Sequence, residues 1–489
     1  MFRDRDFTLD KEQGRLDADA VQDLELNVLF QAMASGDRYL WDAAQCAFLS
    51  RPDNLEDINY RQAVLKDCLQ YPQVMRELYD LTAETVKERR QYHLGIIGVY
   101  PTSILNTSVK LLQMLVGKLK GLKSIADRSG HLFASEGLAS FFSMVQRELD
   151  HAYLRKVQHH LDALEFRHGV HLSAELAEGN VGSNYVLRRP KNQYGLLRRM
   201  LDGKPSFTFY VSPRDKEAGR VLSEIQDRSL NSVANAVAQA ADHVINFFER
   251  LRPELAFYVG CLNLHDRISG VGHSVCFPEA LPSDQWRHCA RNLYDVGLAL
   301  TMQKAVVAND LEADSKNLVL ITGANQGGKS TFLRSVGTAQ LMMEAGMFVP
   351  ADAFTANISS GVFTHFRREE DRRMERGKLD EELSRMNHIV DHLRPNSLML
   401  FNESFASTTE REGTEIARQI IPALLERHIK VFFVTHSYEL ARGFYEEKQD
   451  AYLFLRAERG SDRTRTFRIL EGQPLRTSYG QDLYQEIFR

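Results

Sequence analysis

Cysteine is scarce and scattered in this chain: five residues in 489, at positions 46, 68, 261, 276 and 289, with no CxxC pair. That usage excludes a disulfide framework and a zinc ribbon, and predicts a reducing, cytoplasmic setting. No apolar run approaches the roughly 18 residues of a membrane span, so no membrane association is expected. The opening MFRDRDFTLDKEQG is too charged for a secretory leader. Neither sign of charge dominates: 61 Lys+Arg stand against 65 Asp+Glu, a formal net charge of -4. That balance excludes a polycationic surface but leaves room for local basic patches. Low-complexity tracts and internal repeats are also lacking. What is there is 43% hydrophobic and 26% charged, which excludes a disordered or collagen-like chain and is enough to bury a sizeable core. A length of 489 residues suggests about three domains, with two or four also allowed.

Residues 1–300 read as mostly helical. Leu230, Val233, Val237, Ala241, Val244, Phe248 and Leu251 recur in steps of three and four, the stripe of one long helix. Val64, Cys68, Val74, Leu78 and Leu81 form another stripe, with a break expected at Pro72, and a further helix is expected over about 18–34. From about 178 to 215 the helical pattern lapses into EGNVGSNYVLRRPKNQYGLLRRMLDGKPSFTFYVSP, a small β-containing insertion by its Gly, Asn and Pro content and its PSFTFYV run. After about 300 the texture changes. NLVLIT (317–322), SLMLF (397–401) and KVFFVT (430–435) are short apolar runs between helical stretches, as buried parallel strands are. AYLFL (451–455) and TFRIL (466–470) flank RGSD, a closing hairpin. The fold class expected is a multidomain chain: a helical region over 1–300, then an α/β domain over 301–489.

The strongest chemical signal is Gly323-Ala324-Asn325-Gln326-Gly327-Gly328-Lys329-Ser330, followed by Thr331. It matches the phosphate-binding pattern GxxxxGK[ST] between a strand and a helix. Glycines let the backbone wrap a phosphate, and the loop and helix N–H groups point at the anion. Lys329 is expected to neutralise the β and γ phosphates of ATP or ADP, and Ser330 to bind Mg²⁺. The next strand ends in Asn402-Glu403, where a P-loop ATPase carries an Asp for Mg²⁺ and a Glu for the attacking water. Asn402 can accept from a metal-bound water but brings no charge. One charge pair at about 4 Å and an effective dielectric near 20 amounts to roughly 4 kcal/mol before desolvation, so weaker Mg²⁺ retention is expected. Glu403 remains as a general base or water-positioning group, a role worth typically 10²–10⁴ in rate. His436 ends a third strand, within reach of a γ-phosphate.

Together these residues resemble the MutS family of mismatch-repair ATPases, of the ABC class. ITGANQGGKSTFLR, AGMFVPA (345–351) and FFVTHSYEL (432–440) carry the likeness, with VFTHF (362–366) and TSYG (477–480) as weaker landmarks. GDRYLWDAA (36–44) and INYRQAVLKDCL (58–69) resemble the start of the family's helical core and lever region. The resemblance implies a P-loop ATPase domain that forms a homodimer, each nucleotide being completed by the partner's signature loop and D-loop. It also implies helical levers that carry ATP state to a clamp around double-stranded or branched DNA. Lys329, Ser330 and Thr331 would then hold phosphate and Mg²⁺, Glu403 position water and His436 sense the γ-phosphate, while Ser404 to Glu412 would form the D-loop. Three features depart from the family pattern. Asn402 replaces an Asp. Gly377 or a neighbour stands where a Ser faces the partner, although Glu382 keeps an acidic place. Finally, no Phe-x-Glu wedge precedes the lever, so direct mismatch reading is not expected.

Arg188, Arg189, Lys191, Arg198 and Arg199 crowd twelve residues without an acid, interleaved with Tyr185 and Tyr194. They are the candidate DNA contacts, and a solvated basic loop is the plainer alternative. Lys110, Lys118, Lys120 and Lys123 form a second, weaker patch. The function expected is a slow ATPase that clamps mismatched, branched or distorted DNA in mismatch repair or recombination. Two alternatives stay open: a nucleotide-switched regulator of protein or ribosome that never grips DNA, and a degenerate ATPase that scarcely hydrolyses.

Overall fold

A computed structural model describes residues 2–9, 18–50, 52, 54–93, 100–167, 169–180, 182–188, 208, 210–212, 214–368, 377–459 and 465–476. The chain folds as two compact units. One comprises residues 76–133 and 138–252, the other residues 1–75, 134–137 and 253–489. This differs from a single cut near 300.

The first unit is helical. Its core joins helix Pro101–Ser129 to helix His151–Leu164 and to the first part of the long helix Lys216–Val271. Leu105, Leu112, Leu115 and Val116 pack there with Leu230, Ala241, Ile245 and Phe248. The stripe expected over 230–251 is thus the buried face of a 56-residue helix. That helix carries Pro253 inside it, where one unit gives way to the other. Pro101 opens its helix at a first-turn position, where a missing N–H costs nothing. Strands β1 (Leu172–Leu176) and β2 (Gly182–Leu187) form an antiparallel hairpin. The insertion expected over 178–215 therefore begins earlier, at 172. Most of its PSFTFYV run lies outside the described residues.

The second unit holds two sheets among the described residues. The smaller consists of β3 (Glu279–Leu281), β4 (His288–Leu293), β5 (Asn309–Glu312) and β7 (Ala353–Asn357), in the order β3-β7-β4-β5. The larger consists of β6 (Leu318–Thr322), β8 (Val362–Phe366), β9 (Leu398–Asn402), β10 (Lys430–Val434), β11 (Tyr452–Arg459) and β12 (Arg465–Glu471). Its order is β12-β11-β6-β10-β9-β8, parallel except for β12, which runs antiparallel to β11. Every residue of β10 is buried, which is why KVFFV is apolar without alternation. On one face, Met399, Phe401, Val431 and Phe433 pack against Ala417, Ile421 and Leu424 of helix Glu410–Glu426. Helix Lys329–Glu344, buried nearly throughout, contacts both sheets.

Residues 1–75 join this unit through long-range polar contacts. Asp23 accepts from the Thr364 hydroxyl at 2.8 Å on edge strand β8. Asp19 accepts from Arg385 Nε at 2.9 Å and also from Arg368. Gln62 donates to the Pro278 carbonyl at 3.1 Å. Helix Ala18–Asp23 thereby covers an edge strand that would otherwise be open for pairing. The single helix expected over 18–34 is in fact two, Ala18–Asp23 and Leu26–Ala34, broken where Glu25 takes a left-handed φ of 52° and pairs with Arg334. Pro72 does begin a new helix, Pro72–His93.

Candidate functional site

Parallel pairing brings three strand ends together. Val434 of β10 is in register with Ile321 of β6 and with Asn402 of β9. The segments that follow, starting at Gly323, Glu403 and Thr435, therefore emerge side by side at the carboxyl edge, where open α/β sheets bind ligands.

The glycine loop follows β6 and ends at the N-terminus of helix Lys329–Glu344. Gly323 has φ +124° and Gly328 +89°, values that side chains rarely tolerate. The loop also lies tight against β11. A Cβ on Gly327 would stand 2.8 Å from the Ala457 Cβ and 3.1 Å from the Ala324 carbonyl oxygen. Within the turn the Gly327 amide donates to the Ala324 carbonyl at 3.3 Å, and the turn leads directly into a helix N-terminus, the kind of backbone that faces an anion. Lys329 is 4% exposed, and its Nζ donates to the Ala324 carbonyl at 2.9 Å. Burial lowers its pKa, and the charge of Glu403 opposes that shift.

Two further pairs close the site. Ser330 Oγ donates to Asn402 Oδ1 at 2.9 Å. His436 Nε2 lies 2.7 Å from Glu403 Oε1, which accepts from it. That hydrogen bond holds the Glu403 carboxyl below its ordinary range; burial opposes the shift, while the charges of His436, Lys329 and Arg367 reinforce it. Glu403 is itself left-handed, φ 53°, with its amide donating to the Val434 carbonyl at 3.0 Å. The structure thus brings Gly323–Thr331, Asn402, Glu403 and His436 into one neighbourhood. Ser330 and Asn402 offer only neutral oxygens, a donor chemistry that suits Mg²⁺ but without charge from residue 402. The loop geometry fits a phosphate chain.

A cavity of about 520 Å³ opens beside the loop, lined by Tyr294, Val306, Val307, Asn309, Gly328 and Phe467 among others. Its walls come from the glycine loop and the helix after it, through Gln326, Gly328, Thr331 and Phe332, and also from the segment ahead of β6 and from β12, which carry no motif. The available signal was slight: an aromatic in the hairpin closing the sheet.

The candidate DNA contacts fare differently. Arg188 is exposed at the end of β2, its Nε donating to Ser173 Oγ at 2.8 Å. Arg189, Lys191, Arg198 and Arg199 lie outside the described residues. In the second patch, Lys118 pairs with Glu84 and Glu88 at 3.2 and 2.8 Å. Lys123 pairs with Asp127 at 2.5 Å, while Lys120 is exposed and donates to the neutral Gln158 side chain at 3.3 Å. Among the described residues no helix is long and apolar enough to cross a membrane, and no cluster of three or more His, Cys, Asp or Glu is poised for a metal.

Comparison with known proteins places these features in a family context. The family model described as MutS2 N-terminal domain matches residues 53–271, and that described as MutS domain V matches residues 319–486. The DNA mismatch repair protein MutS of Listeria innocua is 27% identical over 235 residues, 47% of this chain and 27% of that protein. The proteins of the same name from Leptospira interrogans and Leuconostoc citreum are 25% and 27% identical over 268 and 270 residues. Those alignments cover 52% and 54% of this chain, and 31% and 30% of the relatives. The chain thus spans less than a third of the length of the curated relatives it matches.

Proposed function

The chain belongs to the MutS family, and from that premise we propose that it is an ATP-dependent DNA-binding protein of MutS type. The observation that carries the reading is the convergence of a left-handed glycine loop and buried Lys329 with the Glu403–His436 pair. The reaction is ATP plus water to ADP and phosphate. Lys329 releases the Ala324 carbonyl and neutralises the β and γ phosphates, with loop N–H groups around them. Ser330 and Asn402 would hold Mg²⁺, which would supply charge to offset that developing on the phosphate oxygens. Glu403, kept ionised by its hydrogen bond from His436, orients the attacking water and takes its proton. His436 links γ-phosphate occupancy to the β10 end. The cavity flanked by Val306 and Phe467 receives the base. A neutral Asn402 makes turnover slow.

Two copies associate through their ATPase domains, and nucleotide state governs a grip on branched or otherwise distorted double-stranded DNA. Arg188, Arg189, Lys191, Arg198 and Arg199 supply phosphate contacts. The family premise and the run of basic residues support this part. Steady-state phosphate release and retention of duplex and branched DNA on filters at two salt concentrations test it. Hydrolysis is expected together with retention whose salt slope gains about 0.9 per neutralised phosphate. Hydrolysis without salt-sensitive retention in any nucleotide state would favour the regulator that never grips DNA.

A further inference from the structure

Strands β12 and β5 each end a sheet, and no backbone ladder joins them among the described residues. One side chain does so instead. Asn309, 6% exposed, accepts from the Ile469 amide at Oδ1 with a distance of 2.7 Å. Its Nδ2 donates to the Phe467 carbonyl at 3.3 Å. A carboxamide carries a donor and an acceptor on one planar group, so it satisfies two residues of an edge strand much as a neighbouring strand would. Phe467 lies at this point with φ 56°, a left-handed conformation that a bulky aromatic keeps only where its surroundings impose it. The residue is 45% exposed and lies on the wall of the cavity beside the glycine loop. Its carbonyl oxygen lies 3.4 Å from where a Cβ on Gly328 would stand. Two residues earlier, Arg465 hydrogen-bonds the Gln326 side chain in the loop itself. Strained strand, loop and cavity thus share one wall, and Asn309 fixes that wall from the other sheet.

We propose that Asn309 is a positioning residue for the nucleoside: it holds Phe467 left-handed, so that the ring stands as a platform next to the phosphate loop. The proposal rests on the nucleotide reading above. A purine has a face to lay on an aromatic ring, and a phosphate chain has none. Asn309 therefore governs the preference for ATP over inorganic tripolyphosphate, while the loop alone governs tripolyphosphate.

Calorimetric titration of full-length protein with ATP and with tripolyphosphate, both with Mg²⁺, tests this. Wild type is expected to favour ATP. Asn309→Ala is expected to lose about tenfold in ATP affinity while tripolyphosphate affinity moves by less than about twofold. Asn309→Asp keeps the acceptor for Ile469 but sets a carboxylate against the Phe467 carbonyl, and is expected to act in the same direction. It carries the test if Asn309→Ala does not fold. Phe467→Ala is expected to reproduce the loss, and the double variant Asn309→Ala/Phe467→Ala to add little to it. A wild-type preference ratio in both Asn309 variants overturns the proposal. So does an equal loss for both ligands, which would make Asn309 merely structural, and so does an unchanged ratio in Phe467→Ala. A wild type that binds neither ligand would instead sink the nucleotide reading itself.

Discussion

Two lysines are almost equally hidden at opposite ends of the same parallel strands. Lys329, 4% exposed, follows the carboxyl end of β6, and Lys430, 5% exposed, begins β10. Burial lowers the pKa of both, that of Lys430 to about 8. Their surroundings differ. Lys329 Nζ has the Ala324 carbonyl at 2.9 Å, and the glycine loop, Ser330, Asn402, Glu403 and His436 converge there. Lys430 Nζ lies 5.7 Å from the Trp286 ring and has no hydrogen-bond acceptor among the described residues. A depressed lysine thus marks burial; what marks a site is the company it keeps.

The comparison is sharpened most by removing a group from the rich end. Glu403→Gln is expected to lower phosphate release by about 10²–10⁴ while ATP binding survives. Unchanged single-turnover hydrolysis would take Glu403 out of the chemistry. Asn402→Asp places a charge beside Ser330 and is expected to lower the Mg²⁺ concentration needed for half-maximal activity by about tenfold. An identical metal titration would show that the neutral amide is no handicap.

The smallest effect belongs to the other end. Lys430→Met is expected to leave nucleotide binding unchanged and to stabilise the fold by about 1–3 kcal/mol near pH 7, since it replaces a poorly compensated buried charge. Below pH 8 Lys430 is charged both folded and unfolded, so the cost of burying that charge is felt in full. Between about 8 and 10.5 the unfolded chain still binds the proton that the folded chain has released, so wild-type stability rises with pH. The advantage of Lys430→Met should shrink across that window. A gap between the two proteins that stays constant from pH 7 to 10.5 in denaturant titrations would contradict this account of Lys430.

The sheet that carries the site was legible in the sequence because strands buried on both faces are written as unbroken apolar runs, LVLIT, LMLF and KVFFV. The loop was legible because left-handed backbone at Gly323 and Gly328, and the close approach of Gly327 to Ala457, exclude side chains at fixed spacings. The smaller sheet has no such signature. HCARNL of β4 has the burial pattern buried, intermediate, buried, exposed, exposed, buried, which follows neither strict alternation nor a continuous run. The attachment of residues 1–75 to the unit that carries the glycine loop depends on pairs such as Asp19 with Arg385, 366 positions apart, and no local pattern announces it. TFRIL reads as a strand and is one. The left-handed turn at Phe467 inside it is set by Asn309, a residue 158 positions away.

The most direct test of the central claim is calorimetric titration of the purified chain with ATP and Mg²⁺, beside its Lys329→Ala variant. Saturable binding by wild type, weakened about a hundredfold or more by the variant, is predicted. No binding by wild type, or equal affinity in the two proteins, would contradict it.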